Sequence, residues 1–360
     1  MKRKIMSDLN VEPHNQNKKK RSKKILLNVL RCFFLVVFLI SFGVIIYNYV
    51  LLPANVDSEF NSINNELSSL IASVNQSTSE SESPEITPEN SETEINKTSE
   101  AKNKGAYVKY RENKPLVLTQ LKEKYKDLIG WIQIDNTVVN FPVMQSGTDN
   151  PDYYLRRDYE GNYSRHGSIY LESSCSIDGE VSVLYGHSMS DKRMFYCLLD
   201  MADPEVLKNS PVIKYDTIKG TGDYKIVSIF KTNTLYSHGA PFHYNNVDFD
   251  STEEKMQYVY KCMIRSVVDT GVDINEDDEF ILLSTCSYEF DDFRTGVLAR
   301  KVRPSEESDV DVNNIKKAEN PLYPDVWYKT YGGEKPNYPE KFEDAVKEGI
   351  LNWYSGELYK

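Results

Sequence analysis

Short apolar runs separated by polar turns fill the second half of the chain. Each run has the length of a β-strand, and Gly, Asn, Asp and Ser occupy the segments between them. The eight runs cover residues 131–134, 137–143, 168–171, 181–184, 212–215, 224–230, 279–283 and 297–302. Eight short strands joined by polar turns predict a mainly β domain, built as a closed barrel or as a sandwich.

Apolar residues at helical spacing predict several added helices. The first covers residues 115–130 and ends at Gly130, since glycine commonly terminates a helix. A second is predicted over residues 251–268, where Ser251 and Glu254 match a capping box ahead of an apolar stripe. A weaker helical pattern covers residues 195–199.

The N-terminal segment has the pattern of a membrane anchor. Residues 32–52 contain Asn48 as their one strongly polar side chain, and as a helix they can cross a hydrocarbon core of roughly 30 Å. A basic flank precedes them, so we expect the N-terminus in the cytoplasm and everything after residue 52 outside the cell. A cleavable signal peptide is the alternative, but its apolar region is normally shorter, and Pro53-Ala54 is a poor cleavage site.

Charge is distributed unevenly along the chain. The first 31 residues hold ten Lys or Arg against two acidic residues, a charge of +8. Because the whole chain carries −11, the remainder carries −19. An acidic body argues against nucleic-acid binding and leaves the basic block as the cytoplasmic flank of the anchor.

Residues 53–105 are predicted to connect the anchor to a folded domain. Six apolar residues at helical spacing indicate a short amphipathic stalk helix, for which self-association as a coiled coil stays open. They are Phe60, Ile63, Leu67, Leu70, Ile71 and Val74. From residue 77 to 104 the composition changes to Ser, Thr, Glu, Asn and Pro, which predicts a solvated, disordered tether.

The remaining chain divides into a domain at residues 106–305 and an extension at 306–360. The extension is too aromatic for simple disorder, and it has no apolar run long enough to span a membrane. Two interpretations stay open. It is either an appendage packed on the β domain, or a flap that regulates the site or guides the substrate.

A lone cysteine lies where a buried strand gives way to polar residues. The apolar run at 280–283 is followed by Ser284, Thr285 and Cys286. A thiolate is a strong nucleophile, and a nearby histidine or arginine charge favours it. The alternative is that Cys286 is a small buried hydrophobic residue.

One histidine shares this context. His187 follows the apolar run 181–184, again at the change from apolar to polar residues, and it lies 99 positions before Cys286. A packing or surface role is the alternative for such a histidine. Arg294 follows Cys286 after an acidic loop, and Arg300 is the competing arginine.

Other chemistries fit the sequence less well. The four cysteines outside the anchor (Cys175, Cys197, Cys262 and Cys286) form no Cys-x-x-Cys pair, so we expect no metal site, and no spacing dictates a disulfide. No phosphate-binding or dinucleotide-binding glycine pattern occurs, so no cofactor is expected.

Over residues 110–303 the sequence resembles the sortases, the cysteine transpeptidases of Gram-positive cell surfaces. Leu283-Ser284-Thr285-Cys286 matches the last four positions of the family's Thr-Leu-X-Thr-Cys motif, with Leu282 in place of the first Thr. Tyr185-Gly186-His187 and Arg294 complete the pattern. Further segments are similar to the class B branch: Asn140-Phe141-Pro142-Val143, Asp149-Asn150, Tyr153-Tyr154-Leu155, Gly167-Ser168-Ile169-Tyr170, the helix at 251–268 and Tyr288-Glu289-Phe290-Asp291-Asp292.

The resemblance implies a closed eight-stranded sortase barrel and specific roles for the site residues. Cys286 would attack the carbonyl after a Thr in a C-terminal sorting signal, with His187 as acid and then base. Arg294 would bind the oxyanion or the substrate backbone. The substrate-binding candidates are Ser284, Thr285 and, through its backbone N–H as a second oxyanion donor, Ser287.

The resemblance also implies partners. The donor would be a surface protein or a pilin with a C-terminal sorting signal. The acceptor would be an amine of a peptidoglycan precursor or, in a pilin polymerase, a pilin lysine. A catalytically weak, membrane-tethered binding or scaffold protein on the same barrel is the alternative from another class.

The absence of an Asp-Pro-aromatic lid motif before the barrel predicts an open cleft.

Overall fold

A computed structural model of the chain describes residues 14–79 and 111–360. The predicted tether is outside these residues from position 80 onwards, as is the start of the basic arm. The chain divides into two compact units, of which the first ends at Glu59 and the second is Phe60–Lys360.

The first unit is helical. Helix α1 covers His14–Ile46, a π-helical turn covers Tyr47–Leu51, and α2 covers Leu52–Ser79 and so continues into the second unit. Among the described residues, one helix is long and apolar enough to cross a membrane, over Lys23–Ile46. Its apolar side chains are exposed, as a lipid-facing helix requires.

In the second unit, α2 packs on the folded body. Four of its six stripe residues are buried and Leu70 and Val74 are half-buried, and the Phe60 ring lies 4.5 Å from the ring of Phe141. The Glu66 carboxylate accepts a hydrogen bond from the Tyr125 hydroxyl at 3.0 Å and pairs with Lys124 at 2.9 Å. The predicted helix is present, but from Phe60 onwards it is no free stalk, because its apolar face is already covered.

Eight strands close into a barrel, which confirms the barrel over the sandwich. The strands are β1 Leu128–Ile134, β2 Asn140–Met144, β3 Ile169–Leu171, β4 Val181–Tyr185, β5 Val212–Thr217, β6 Asp223–Asn233, β8 Phe280–Ser287 and β9 Phe293–Lys301. Their order around the barrel is β1-β2-β3-β4-β8-β9-β6-β5. Most neighbours are antiparallel, but β2 pairs with β3, and β4 with β8, in parallel. A short β7, Val268–Asp269, lies outside the barrel.

The predicted helix at 115–130 is wrong at its C-terminal end. Helix α3 covers residues 111–124, and Leu128 already belongs to β1. Gly130 lies in that strand, where a Cβ atom would come within 2.7 Å of the Asp216 carbonyl oxygen. This glycine therefore allows two strands to approach closely and does not end a helix.

The predicted capping box is confirmed at the start of α6, Thr252–Met263. Ser251 Oγ accepts from the Glu254 N–H at 3.3 Å, and the Glu254 carboxylate accepts from the Asp250 N–H at 3.0 Å. The helix lies against β6, where the Ser228 hydroxyl donates to the Cys262 carbonyl at 2.9 Å. The weaker pattern at 195–199 overlaps the single-turn helix α4, Cys197–Asp200, and a second single-turn helix that was not predicted, α5 Pro204–Leu207, follows it.

The C-terminal extension is folded and packed on the barrel unit. A two-residue strand, β10 Lys316–Lys317, pairs with β7. Helix α7 covers Asp325–Tyr331, and α8 covers Phe342–Lys347. Phe342 is buried beside Tyr260 of α6, with ring centroids 6.2 Å apart. The extension thus contributes to the hydrophobic core.

Candidate active site

Strand register brings the three predicted catalytic residues together. On β9, Arg294 lies directly opposite Cys286 of β8. On the other side, β4 pairs with β8 in parallel with Tyr185 opposite Ser284, and the Gly186 N–H donates to the Ser284 carbonyl at 3.2 Å. Two residues beyond Tyr185, this register places His187 level with Cys286.

Residues directly opposite one another in a sheet project from the same face. Cys286 and Arg294 therefore share one face of the sheet, and continuing the β4 register two residues past the end of that strand extends this row to His187. Cys286 is in the middle of this row. The arrangement gives the thiol a potential acid or base on one side and a fixed positive charge on the other.

The next pair on the same face, Ser284 of β8 and Gly296 of β9, lies beside the thiol. The Ser284 hydroxyl is 2.8 Å from the hydroxyl of Tyr244. The neighbouring position on β9 is Gly296, which is packed directly against the Phe230 ring. Ser284 thus lies two positions before Cys286 on the same face of β8, and its substrate-binding role stays a prediction.

The side chains of Thr285 and Ser287 project from the other face of β8, since alternate residues of a strand face opposite ways. Both are buried, and they pair with Thr295 and Phe293 of β9. The structure therefore separates these two side chains from Ser284, with which the sequence had grouped them. The expected contribution of Ser287, a backbone N–H, does not depend on its side-chain direction.

A backbone carbonyl orients His187. Its Nε2 atom lies 2.7 Å from the Leu155 oxygen. A carbonyl can only accept, so Nε2 carries a proton, and in the neutral ring Nδ1 is the basic atom. Gly167, with φ +62, keeps this geometry open, because a Cβ there would lie 2.5 Å from the Leu155 oxygen.

Burial lowers the pKa of His187 below its usual value, although its bond to Leu155 opposes the shift. The neighbouring charges of Arg156 and His166 lower the pKa further. The imidazole is therefore mostly neutral at neutral pH. In this state it can accept a proton.

We expect an NMR titration of His187, assigned by its loss in His187→Gln, to show a midpoint below about 6.5, the ordinary histidine value. At a pH between the pKa of His187 in the folded chain and its pKa in the unfolded chain, the unfolded chain binds more protons than the folded one. The stability contributed by neutral His187 is thus complete above about pH 6.5 and falls as the pH drops. A midpoint above the ordinary value would contradict this description of the site.

The competing arginine is structural. Arg300 lies on the same face of β9 as Arg294, but six residues further along the strand, opposite Phe280. Its side chain is 0% exposed and bonds Glu306 through both terminal nitrogens at 2.7 Å. Arg294 is half-buried and donates to the Phe293 carbonyl at 2.9 Å. Of the two arginines, Arg294 is the one that pairs with Cys286 across the strands, and its role stays a prediction.

Two contacts around the site were not predicted from the sequence. Tyr244 comes from a polar loop whose pattern does not indicate that it folds back over Ser284. The Tyr288 hydroxyl donates to the Ser188 carbonyl at 2.5 Å and so connects the loop after Cys286 to the residue after His187. The aromatic residue at Tyr288 was visible in the sequence, but its partner was not.

The other cysteines are poor nucleophiles. Burial raises the pKa of Cys197 and Cys262 to about 12, and burial also raises the pKa of Cys175. Thiolate is therefore scarce at these positions near neutral pH. Across the described ranges, no group of three His, Cys, Asp or Glu side chains is arranged to hold a metal ion.

Comparison with known proteins identifies the family. No family model matches the chain. Sortase B of Listeria monocytogenes is 31% identical over 176 residues, which are 48% of this chain and 68% of the relative. Sortase B of Staphylococcus aureus is 28% identical over 180 residues, which are 49% and 70% of the two chains. A solved Staphylococcus aureus sortase B-substrate complex is 27% identical with a TM-score of 0.48, covering 53% of this chain and 87% of that one.

The match to the Listeria protein is close and long enough to assign the chain to a family. The chain belongs to the sortase B family of cysteine transpeptidases.

Proposed function

We propose that this chain is a membrane-anchored, extracytoplasmic transpeptidase that cleaves a sorting signal after Thr and transfers the protein to an amine of a peptidoglycan precursor. The observation that carries the proposal is the pairing of Cys286 on β8 with Arg294 on β9, together with the position of His187 two residues after the end of β4. This row supports the proposal because it would combine a nucleophile, a proton carrier and a cation on one surface.

In the first half-reaction, the Cys286 thiolate attacks the carbonyl carbon of the Thr residue. A C–S bond forms, and the C–N bond to the following residue breaks. Neutral His187 takes the thiol proton of Cys286 as the thiolate forms, and the resulting imidazolium donates this proton to the leaving amine. The product is a thioacyl enzyme, which retains the energy of the broken amide as a reactive thioester.

The tetrahedral intermediate carries a negative charge on oxygen. The planar guanidinium of Arg294 offers several N–H donors in a fixed fork, so we assign it as a donor to this oxyanion or to the substrate backbone. The Ser287 N–H is the second proposed donor. Ser284, whose hydroxyl contacts that of Tyr244, lies two residues before Cys286 on β8 and would offer its hydroxyl to the bound peptide.

In the second half-reaction, an acceptor amine attacks the thioester. Neutral His187 takes a proton from this amine, a new amide forms and the C–S bond breaks, which returns the thiolate. The lowered pKa of His187 suits this step, because it keeps the base unprotonated at neutral pH.

The location follows from the N-terminal pattern. Residues 1–31 form the proposed cytoplasmic arm, and residues 32–52 are the predicted anchor, which overlaps the apolar helix at Lys23–Ile46. The basic flank places the N-terminus inside and the transpeptidase domain, residues 106–305, outside the cell. The connector at 53–105 and the extension at 306–360 complete the proposed organisation.

A donor and acceptor panel tests this function. The full chain in detergent micelles is incubated with fluorogenic peptides of the Asn-Pro-X-Thr-X kind, and with either a peptidoglycan stem-peptide amine or a pilin-derived lysine peptide. We expect cleavage after Thr and product formation with the stem-peptide amine. Product formation with the lysine peptide alone would favour the pilin polymerase. Absence of cleavage across the panel would favour the scaffold alternative.

Replacement of Arg294 tests the oxyanion role. We expect Arg294→Ala to lower kcat by roughly 10²- to 10³-fold, the usual cost of one lost oxyanion donor. Arg294→Lys keeps the charge but loses the planar fork, so it should restore only part of the rate. The measurement is steady-state cleavage, with Arg303→Lys as a control for arginine replacement away from the cleft. An Arg294→Ala enzyme with unchanged kcat would exclude this role.

A further inference from the structure

The C-terminal extension carries an aromatic face near the catalytic end of the barrel. Tyr323, Trp327 and Tyr331 follow one another at intervals of four residues. The rings of Tyr323 and Trp327 stack with centroids 4.1 Å apart and planes within 5°, and those of Trp327 and Tyr331 lie 4.9 Å apart. These three side chains form a continuous surface, which we call the α7 aromatic face.

This face covers the loop that joins the two catalytic strands. Phe290 lies between Cys286 and Arg294 in sequence, and its ring is 6.2 Å from Trp327 and 5.7 Å from Tyr331. On its other side the Phe290 ring is 4.8 Å from Phe293, the residue next to Arg294. Phe290 is thus held between the barrel and α7.

The same helix contacts the loop that follows β6. A Cβ at Gly239 would lie 3.1 Å from Asp325 at the start of α7, and the φ of +114 at Gly239 is one that other residues rarely adopt. His238, next to it, has its ring 6.0 Å from Phe290. Further along this loop, Tyr244 bonds Ser284 beside the catalytic row.

The segments on both sides of α7 are held independently of its aromatic face. Before the helix, the Leu322 N–H donates to the Ile264 carbonyl at 2.9 Å. After it, the Tyr338 hydroxyl donates to the Asn320 carbonyl at 2.9 Å, and Lys335 pairs with Asp325 at 2.6 Å. The helix is therefore fixed to α6 and to its own flanking chain, so it can resist movement of the loops it touches.

We propose that α7 is a positioning element for transpeptidation. Trp327 and Tyr331 act through Phe290 and hold the loop at residues 287–293 so that Cys286 and Arg294 present one fixed geometry to the sorting signal. The kinetic part of this inference rests on the proposed function. None of the three aromatic residues contacts the reacting atoms. Their effect is to limit the motion of a loop whose two ends are the nucleophile and the oxyanion donor.

Replacement of Trp327 in the full chain tests the proposal kinetically. A misplacement of about 1 Å can cost roughly 100-fold in rate, so we expect Trp327→Ala to lower kcat for thioacyl formation by at least about tenfold, with a smaller change in KM. Trp327→Phe keeps an aromatic ring and should recover most of the rate. Trp353→Ala is the matched control, since Trp353 belongs to the same extension but packs near Phe342. Equal kcat losses in Trp327→Ala and Trp353→Ala, or no loss in the former, would overturn the proposal.

A second readout does not depend on the substrate. Hydrogen exchange of the amides at 287–293 should be faster in Trp327→Ala than in the wild type and unchanged in Trp353→Ala. Unchanged exchange in Trp327→Ala overturns the positioning role whatever the kinetics show. If the wild type forms no thioacyl enzyme, the proposed function fails, and the exchange measurement still decides whether α7 holds the loop.

Discussion

Cys286→Ala should abolish both peptide cleavage and transfer. Removal of a covalent nucleophile from a triad-like site has cost roughly 10⁶-fold in kcat in well-studied hydrolases, and no other group in the catalytic row can form the thioester. His187 and Arg294 remain in place but have no acyl group to act on. Steady-state cleavage of the fluorogenic peptide measures the loss.

Cys197→Ser is the matched control for this variant. Cys197 is a partly exposed thiol whose pKa is raised to about 12, and it lies in α4, outside the catalytic row. We expect its activity to stay close to that of the wild type. If Cys197→Ser were inactive while Cys286→Ala retained turnover, the assignment of the nucleophile would be wrong.

The second large effect is a loss of stability on replacing Glu306, which contacts the end of β9 that is distant from Arg294. Glu306, whose side chain is 25% exposed, accepts from both terminal nitrogens of the buried Arg300 and pairs with Lys225 at 2.7 Å. Glu306→Gln leaves the Arg300 charge with only the longer ion pairs to Asp273 at 3.8 Å and Asp278 at 4.0 Å. Loss of one partner from a buried pair costs about 3 kcal/mol or more, so we expect the free energy of unfolding to fall by about that amount.

Glu279→Gln provides the control for this measurement. Glu279 pairs with Lys301 in the same region, but the two side chains are 53% and 39% exposed. Exposed pairs contribute about 0–1 kcal/mol, so this variant should unfold nearly as the wild type does. Urea denaturation compares the free energies of unfolding of the two variants. Equal decreases in this free energy would show that the Arg300–Glu306 pair stabilises the fold no more than an exposed pair does.

The Arg300–Glu306 pair also makes the stability of the fold depend on pH in the acid range. Its hydrogen bonds to Arg300 hold the pKa of Glu306 well below its usual range. The stabilisation is therefore complete above the ordinary glutamate pKa of about 4.3 and is lost as the pH falls below it. Glu306→Gln should remove this part of the acid dependence of unfolding.

The barrel and the position of the three site candidates could be predicted because they leave local signals. The eight apolar runs each match a strand, since burial on the barrel demands apolar side chains in short stretches. Cys286 and His187 both follow such runs, and their common context placed them at the same end of neighbouring strands. Strand alternation also distinguishes Ser284 from Thr285, although the sequence prediction grouped them.

Other features depend on partners that are distant in sequence. Gly130 has the pattern of a helix end, and only its approach to Asp216 shows that it belongs to a strand. The stripe on α2 predicts a buried face but does not reveal that Phe141 covers it. Arg294 and Arg300 share one face of β9, and only the ion pair with Glu306 separates their roles.

Mass spectrometry of the acyl enzyme tests the central claim most directly. The full chain is mixed with an Asn-Pro-X-Thr-X peptide in the absence of acceptor amine, quenched in acid and digested. We expect the peptide up to and including Thr to be attached as an acyl group to Cys286, with no adduct in Cys286→Ala. An adduct on another residue, or none with any peptide of the panel, would contradict the account.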